Sequence, residues 1–146
     1  MTWNSHRIVT FTTVFLVTGN IWYAVSGMLG STFPDRVEQF PFGNWRRNHR
    51  KGSHWFVWYA LLVVLSYLVP YVSDSVFHVI LFLRWFLTGC LAHIIEDSVC
   101  GRVPLFRPGK PCYVVPRLFY TGGMGETLFV FSYVLLSAGL WLVVYG

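Results

Sequence analysis

The chain alternates between long apolar stretches and short polar ones, and four apolar stretches are long enough to cross a bilayer as helices. They run approximately over Ile8–Leu29, Trp55–Val72, Ser75–Ile95 and Thr127–Tyr145. A hydrocarbon core of about 30 Å takes roughly 20 helical residues. Backbone groups in lipid must pair within their own segment, and these stretches lack the period-two alternation of barrel strands. The pattern predicts an all-α, polytopic membrane helix bundle with about four transmembrane helices, in a single domain over residues 1–146.

The first stretch leaves two topologies open. Gly19-Asn20 lies at its middle, and this pair favours turns over helix interiors. The stretch is either one tilted span or two half-helices folded back as a re-entrant hairpin, and we slightly favour the single span. Only the hairpin returns Gly30 to the side of the membrane on which His6 lies.

The composition supports a membrane protein. Hydrophobic residues make up 55% of the chain and charged residues only 12%, against about 25% charged in an ordinary soluble domain. Aromatic residues reach 19%, and Trp and Tyr favour the membrane–water boundary. A soluble domain of this size would leave too much apolar surface facing water, so we expect membrane lipid around the chain.

The positive charge is concentrated in two loops. With four simple spans, the loops Gly30–His54 and Glu96–Glu126 lie on one side, and the positive-inside bias predicts that this side is cytoplasmic. The net charge of +5 then reflects topology and contact with anionic head groups. No recognised nucleic-acid fold is present, so nucleic acid is not an expected partner. The basic residues are Arg36, Arg46, Arg47, Arg50 and Lys51 in the first loop, and Arg102, Arg107, Lys110 and Arg117 in the second.

The cysteines leave two alternatives for the second loop. Cys90 lies in an apolar stretch and is expected to be a small core residue. Cys100 and Cys112 flank a Gly/Pro-rich loop and could form a disulfide in an oxidising compartment. That pairing would contradict a cytoplasmic location, so we favour free thiols.

The third apolar stretch ends in a histidine and an aspartate that share one helix face. His93 and Asp97 are four residues apart, with Glu96 beside them, and positions i and i+4 of a helix are neighbours. Such a pair can bind a metal together, or the carboxylate can orient a ligating imidazole. The competing interpretation is a polar helix end that emerges into the head groups.

A second histidine pair precedes the second stretch. His49 and His54 are separated by Arg50-Lys51-Gly52-Ser53, and Ser53 can cap the helix that follows. This arrangement places His54 in the first turn and His49 just before it, so the two imidazoles can converge. The competing interpretation is two interfacial histidines in a basic loop.

Further polar residues lie at stretch ends, most of which the topology places on the same face. Asp35 and Glu38 follow the first stretch, and His6 precedes it. Glu126 directly precedes the fourth stretch. Histidine together with carboxylate is the ligand set expected for zinc or a similar divalent ion acting on water. Arg50 could hold an anionic substrate group, because a guanidinium matches phosphate in a two-pronged contact.

Six short motifs follow one another along nearly the whole chain. They are Ser5-His6; Gly30-Ser31-Thr32-Phe33-Pro34-Asp35; His49-Arg50-Lys51-Gly52-Ser53-His54-Trp55; Gly89-Cys90-Leu91-Ala92-His93-Ile94-Ile95-Glu96-Asp97; Val103-Pro104-Leu105; and Thr121-Gly122-Gly123-Met124-Gly125-Glu126. In this order they resemble the YdjM-like, LexA-regulated, membrane-bound metal-dependent hydrolases, whose fold is expected to be a helical membrane bundle. The chain departs from the family pattern at Val37, where a second aspartate belongs, and at Gly52, to which the glycine of the histidine motif is shifted.

The resemblance implies a membrane-bound, metal-dependent hydrolase of a bacterial inner membrane. The implied ion is zinc, with manganese or iron as alternatives, and the implied substrate is a phosphoester such as a phospholipid or lipid-linked molecule at the membrane surface. The alternative function is a non-enzymatic small membrane protein, either a partner subunit or a metal or proton carrier. Asp35 is a further ligand or the general base, and His6 joins the site only in the hairpin topology. The implied metal ligands are His6, His49, His54, His93 and Asp97, and the implied catalytic residues are Asp35, Arg50 and Glu126.

Overall fold

The computed structural model describes residues 1–39, 52–69 and 74–145. Over these ranges the regular elements are all helices, residues 101–123 form a loop between the last two of them, and the β pairing is an isolated bridge between Val103 and Cys112. The predicted all-α class is therefore confirmed for the described residues. The elements in chain order are α1 (Trp3–Thr18), α2 (Ile21–Gly30), α3 (Phe33–Gln39), a 3₁₀ helix (Gly52–His54), α4 (Phe56–Leu68), α5 (Asp74–Cys100) and α6 (Met124–Tyr145).

The first apolar stretch is broken into two helices at Gly19-Asn20. Gly19 takes a left-handed conformation with φ 62°, and its N–H donates to the Phe15 carbonyl at 2.8 Å, which ends α1. The Asn20 side chain accepts from the Trp22 N–H at 2.9 Å and caps α2. The single span that we favoured from the sequence is therefore wrong, because these two residues end one helix and begin the next.

α1 and α2 run antiparallel and form a helical hairpin. A Cβ at Gly27 would lie 2.9 Å from the Val14 side chain, so the second half of α2 faces the second half of α1. Beyond α2, the Asp35 carboxylate accepts from the Trp3 indole N–H at 2.8 Å. The chain thus returns at Asp35 to the level at which α1 begins, and His6 lies on the same side as Asp35.

Two helices in the described part of the chain, rather than the expected four, are long and apolar enough to cross a membrane. They are the part Val76–Cys100 of α5 and the whole of α6, Met124–Tyr145. α4 has 13 residues, about 20 Å of helix, which is shorter than a hydrocarbon core of about 30 Å. α1 and α2 fall short because the chain turns back at Gly19. The four-span expectation is corrected to two candidate spans.

α6 presents apolar side chains to its surroundings along most of its length. Such a surface would be unfavourable in water, whereas a bilayer accepts an apolar helix of this length. The helix is therefore suited to lie against lipid. Its large exposed apolar residues include Leu128, Phe131, Leu135, Leu136, Leu140, Leu142, Val143 and Val144.

α2 and α5 pack with almost no side chain between their backbones. A Cβ at Gly30 would lie 1.9 Å from a backbone oxygen of α5, and a Cβ at Gly89 would lie 2.0 Å from the Gly27 carbonyl oxygen. Ser26 adds an interhelical hydrogen bond, donated to the Phe82 carbonyl at 2.6 Å. Small residues let membrane helices approach closely. This contact holds α5 against the hairpin just before the last turns of α5.

Arg84, in the middle of α5, binds the end of α4. Its Nε and Nη2 atoms donate to the Ser66 carbonyl at 3.1 and 2.8 Å, and its guanidinium lies 4.4 Å from the centroid of the Tyr67 ring. Ser66 belongs to the last turn of α4, where carbonyls have no partner within the helix. The Arg84 side chain in this apolar stretch therefore supplies hydrogen-bond donors to a carbonyl at the end of α4.

Candidate metal centre

Five of the predicted site residues lie together in one buried group, which we call the histidine–aspartate cluster. Its three histidines are fully buried, and its two aspartates are exposed by 5% or less. They come from α1, α3, the 3₁₀ helix and α5, so elements that are distant in the chain meet at one point. Such a buried set of imidazoles and carboxylates can hold a metal ion. The cluster consists of His6, Asp35, His54, His93 and Asp97.

One half of the cluster is centred on His54. The Nε2 atom of His54 lies 3.1 Å from His93 Nε2 and 3.2 Å from Asp35 Oδ1. His93 Nε2 lies 3.6 Å from the same aspartate oxygen. Ligand atoms of one tetrahedral zinc ion, with bonds of about 2.0–2.2 Å, lie about 3.3 Å apart. These three atoms therefore have the mutual spacing of metal ligands.

The other half is centred on His6. Its Nε2 atom lies 3.2 Å from Asp97 Oδ1, and Asp97 Oδ2 lies 4.0 Å from His93 Nε2. The centroids of the His6 and His93 rings are 4.0 Å apart. The amino group of Met1 also contacts Asp97 Oδ1. His6, His93 and Asp97 thus form a second set of donors, with ligand atoms within 4.8 Å of one another.

Two glutamates lie behind two of the histidines. His6 Nδ1 is 2.5 Å from Glu96 Oε2, and His54 Nδ1 is 2.9 Å from Glu38 Oε1. Each of these Nδ1 atoms donates when the carboxylate beside it is ionised, because an ionised carboxylate only accepts hydrogen bonds. The Nε2 atom of each neutral imidazole then presents a lone pair to the cluster. Histidines that ligate metals are oriented in this way by carboxylates.

The charges around His54 favour its protonated form when no metal is bound. Burial by itself would lower the pKa of His54, but its contacts with Asp35 and Glu38 outweigh burial and raise the pKa to about 9. Burial would likewise raise the pKa of Asp35, yet the contacts with His54 and His93 hold that pKa well below its usual range. A proton on His54 therefore balances neighbouring carboxylates in the metal-free protein.

Glu126, which we predicted to be catalytic, lies at the start of α6 and contacts the start of α1. Its carboxylate accepts from the Thr2 N–H at 2.7 Å, the Thr2 hydroxyl at 2.8 Å and the Gly122 N–H at 2.8 Å. Thr2 in turn caps α1 by accepting from the Ser5 N–H at 3.4 Å. These contacts position the helix that carries His6, and a role for Glu126 in catalysis stays a prediction.

Two predicted site residues, His49 and Arg50, lie outside the described residues, and their roles stay predictions. His78 lies apart from the cluster. It is exposed on α5, about four turns or 22 Å along the helix from His93. It is therefore a suitable reference histidine on the same helix.

The cysteines are free thiols in the structure, as we favoured. Cys100 Sγ accepts from the Thr121 hydroxyl at 3.6 Å and lies 3.1 Å from the Met1 amino group. Cys112 Sγ lies 3.6 Å from the Val103 carbonyl oxygen. The ends of this loop are joined instead by two backbone hydrogen bonds between Val103 and Cys112, at 3.0 and 2.9 Å.

In the sequence, Glu38 and Glu96 are neighbours of predicted site residues, and we predicted no separate role for either. Glu38 follows Asp35 by three positions, and Glu96 follows His93 by three positions. Residues three apart on a helix share a face, so this spacing is the signal that could have identified both glutamates. Which histidine each one contacts depends on tertiary packing, because the partner lies on another element in both cases.

A comparison with protein-family models matches residues 1–145 to a family described as YdjM inner membrane protein. A search of curated proteins and a search of solved structures found no significant match. The family match covers nearly the whole chain, and α5 and α6 are long and apolar enough for membrane insertion. The chain therefore belongs to the YdjM inner membrane protein family.

Proposed function

We propose that this membrane protein is a metal-dependent hydrolase that cleaves a phosphoester, with zinc as its ion and manganese or iron as alternatives. The observation that carries the proposal is the buried set of two imidazole nitrogens and one carboxylate oxygen at the mutual spacing of metal ligands. His54 Nε2 lies 3.1 Å from His93 Nε2 and 3.2 Å from Asp35 Oδ1, and His93 Nε2 lies 3.6 Å from the same oxygen. A divalent ion at this point would take the place of the proton that His54 carries in the metal-free protein.

The donor set fits a divalent ion. Imidazole nitrogen and carboxylate oxygen suit zinc, and they also suit manganese and iron. Asp35, His54 and His93 would hold the ion, and Glu38 would keep the ring of His54 in the required orientation. A divalent ion in such a site lowers the pKa of water and so supplies a nucleophile near neutral pH.

The position of the cluster favours a substrate at the membrane surface. His93 and Asp97 lie in the last two turns of α5, and the contact between Glu126 and Thr2 lies at the first turn of α6. The cluster is thus close to one end of both candidate spans, which is the depth of lipid phosphates. Arg50, if it lies nearby as the sequence predicts, would hold the substrate phosphate. A phospholipid or a lipid-linked phosphoester is the proposed substrate.

Elemental analysis of the protein purified in detergent, followed by a hydrolysis assay, tests the proposal. We expect a divalent metal near stoichiometry and hydrolysis of phospholipid vesicles or of bis(p-nitrophenyl) phosphate. The double variant His54→Ala/His93→Ala should lose both the metal and the hydrolysis. His78→Ala removes an exposed histidine from the same helix and should keep both.

Two results would overturn the proposal at different points. If the protein binds no zinc, manganese or iron after reconstitution, the metal centre is wrong. If metal is bound but no phosphoester is cleaved, the proposed enzymatic function is wrong, and a metal carrier or a partner subunit becomes the better interpretation.

Metal affinity should rise with pH up to about 9. In the metal-free protein His54 is protonated below its pKa of about 9, so a ligating ion must displace that proton. Asp35 adds no further dependence in this range, because its lowered pKa keeps it ionised. We expect Mn²⁺ affinity to increase about tenfold per pH unit between about pH 6.5 and 8.5. Chelator competition at each pH measures this, and equal affinities across the range would mean that His54 is not a ligand.

A further inference from the structure

We infer that the histidine–aspartate cluster is a two-ion centre, with one divalent cation on each side of His93. The inference rests on the metal centre of the proposed hydrolase, and it adds the number of ions and the residues that hold each one. One ion would bind between Asp35, His54 and His93. The other would bind at His6 and Asp97, beside the His93 ring, because the single lone pair of His93 Nε2 can serve only one of the two ions.

The spacing of the donors separates them into two sets. Within each set the ligand atoms lie within 4.8 Å of one another, and over the described ranges of the chain no such set contains both His6 and His54. Two ligands of one zinc ion lie at most about 4.4 Å apart, since each bond is about 2.0–2.2 Å long. One ion therefore engages one of these two histidines and leaves the other without a metal.

The two sets have the same composition. Each contains a histidine, a glutamate bonded to its Nδ1 atom, and an aspartate oxygen 3.2 Å from its Nε2 atom. A buried carboxylate that orients an imidazole is a regular feature of metal-ligating histidines, and here the feature occurs twice. The sets are His54, Glu38 and Asp35 on one side of His93, and His6, Glu96 and Asp97 on the other.

The half around His6 contains buried polar atoms that the first ion does not satisfy. His93 Nδ1 has no hydrogen-bond partner among the described residues, and His6 Nε2 has only the Asp97 carboxylate oxygen at 3.2 Å, with which it can pair when a proton or a cation lies between them. Both side chains are 0% exposed. Buried polar atoms without partners are rare in native proteins and call for an unseen ion or water. A cation beside His6 Nε2 and Asp97 Oδ1 would give His6 a partner, and it would displace the Met1 ammonium group from that oxygen, because two positive charges at one oxygen repel each other.

A pair of ions fits the substrate class of the proposed function. Many enzymes that cleave phosphoesters use two divalent cations, which together stabilise the attacking and the leaving oxygen atoms. Asp97 is suited to a place between two ions, because one of its oxygens faces His6 and the other faces His93. Two ions held in this way would bind the attacking and the leaving oxygen atoms of a phosphoester.

Loading the purified protein with Mn²⁺ tests the inference by ion count and by electron paramagnetic resonance. After loosely bound ions are removed on a chelating resin, we expect about two Mn²⁺ per chain and a spectrum of two exchange-coupled ions. Asp35→Asn and His6→Ala should each retain about one Mn²⁺, with the uncoupled spectrum of a single ion. His78→Ala should keep two coupled ions. Circular dichroism and gel filtration establish that each variant is folded.

The outcomes separate this inference from the function on which it rests. One Mn²⁺ per chain with an uncoupled spectrum overturns the two-ion centre and leaves the metal centre in place. No Mn²⁺ overturns both. Two Mn²⁺ retained by both Asp35→Asn and His6→Ala would mean binding outside the cluster, which also overturns the inference. The wild-type spectrum is decisive by itself if a variant fails to fold.

Discussion

Alanine at Gly89 is expected to destabilise the protein by about 3 kcal/mol, the upper range for forcing extra atoms into a packed interior. The new Cβ would lie 2.0 Å from the Gly27 carbonyl oxygen, and real Cβ contacts under 3.0 Å are essentially never seen. The obstacle is backbone rather than a flexible side chain, so α2 and α5 must separate. Unfolding in detergent, monitored by the loss of the helical circular dichroism signal, measures the change in the free energy of unfolding.

Gly139→Ala is the matched control for this prediction. Gly139 is also a glycine within a long helix, but nothing lies within 4 Å of the position its Cβ would take. Alanine is more favourable than glycine in a helix interior by about 1 kcal/mol, so this variant should be as stable as the wild type or slightly more stable. Equal stability of Gly89→Ala and Gly139→Ala would contradict the close packing of α2 and α5.

Gly89→Ala should also weaken metal binding. Gly89 lies about one helical turn before His93, whereas α3, which follows the hairpin, carries Asp35. If α2 separates from α5, His93 and Asp35 therefore move apart, although neither residue has been substituted. Gly89→Ala should lose stability and metal affinity together, whereas a substitution of a ligand acts mainly on the metal.

Glu38→Gln and Glu96→Gln are each expected to reduce metal affinity by about 10- to 100-fold, the usual effect of removing a carboxylate that orients a ligating histidine. Glutamine has nearly the same size, but a neutral amide no longer draws the proton to Nδ1 of His54 or His6. The Nε2 atom then loses both basicity and a fixed orientation. Competition titrations of Co²⁺ or Zn²⁺ against a chelator measure the change.

His78→Ala is the control for affinity, because His78 is an exposed histidine of α5 that lies apart from the cluster. Its effect on metal affinity should be small. If Glu38→Gln and Glu96→Gln bind metal as tightly as the wild type, the glutamates do not orient ligands, and the metal centre loses its main structural support. If only one of these two glutamine variants weakens metal binding, the metal is bound by the histidine whose Nδ1 that glutamate contacts.

Much of the candidate site could be predicted from the sequence because its residues lie at the ends of apolar stretches. His93 and Asp97 share a face through helical periodicity alone. Asp35 and His54 flank loops that the topology places on one membrane face. The place of His6 in the site could not be settled from the sequence, because it depended on whether the chain turns at Gly19-Asn20. The sequence showed that a turn was possible there, but helix propensity and turn propensity are too close in energy to decide it locally.

The helical, membrane-bound class follows from the sequence alone, because long apolar runs in lipid leave the backbone few other ways to pair its polar groups. The sequence also pointed to five residues that the fold brings into one buried cluster. The tertiary structure was needed to show that the first stretch is a hairpin, that two helices in the described residues are long enough to span, and that Glu38 and Glu96 lie behind two histidines. The contact between His6 and Glu96 joins positions 90 residues apart. Contacts of that kind depend on how closely α2 approaches α5, and the backbone approach at Gly89 sets that distance.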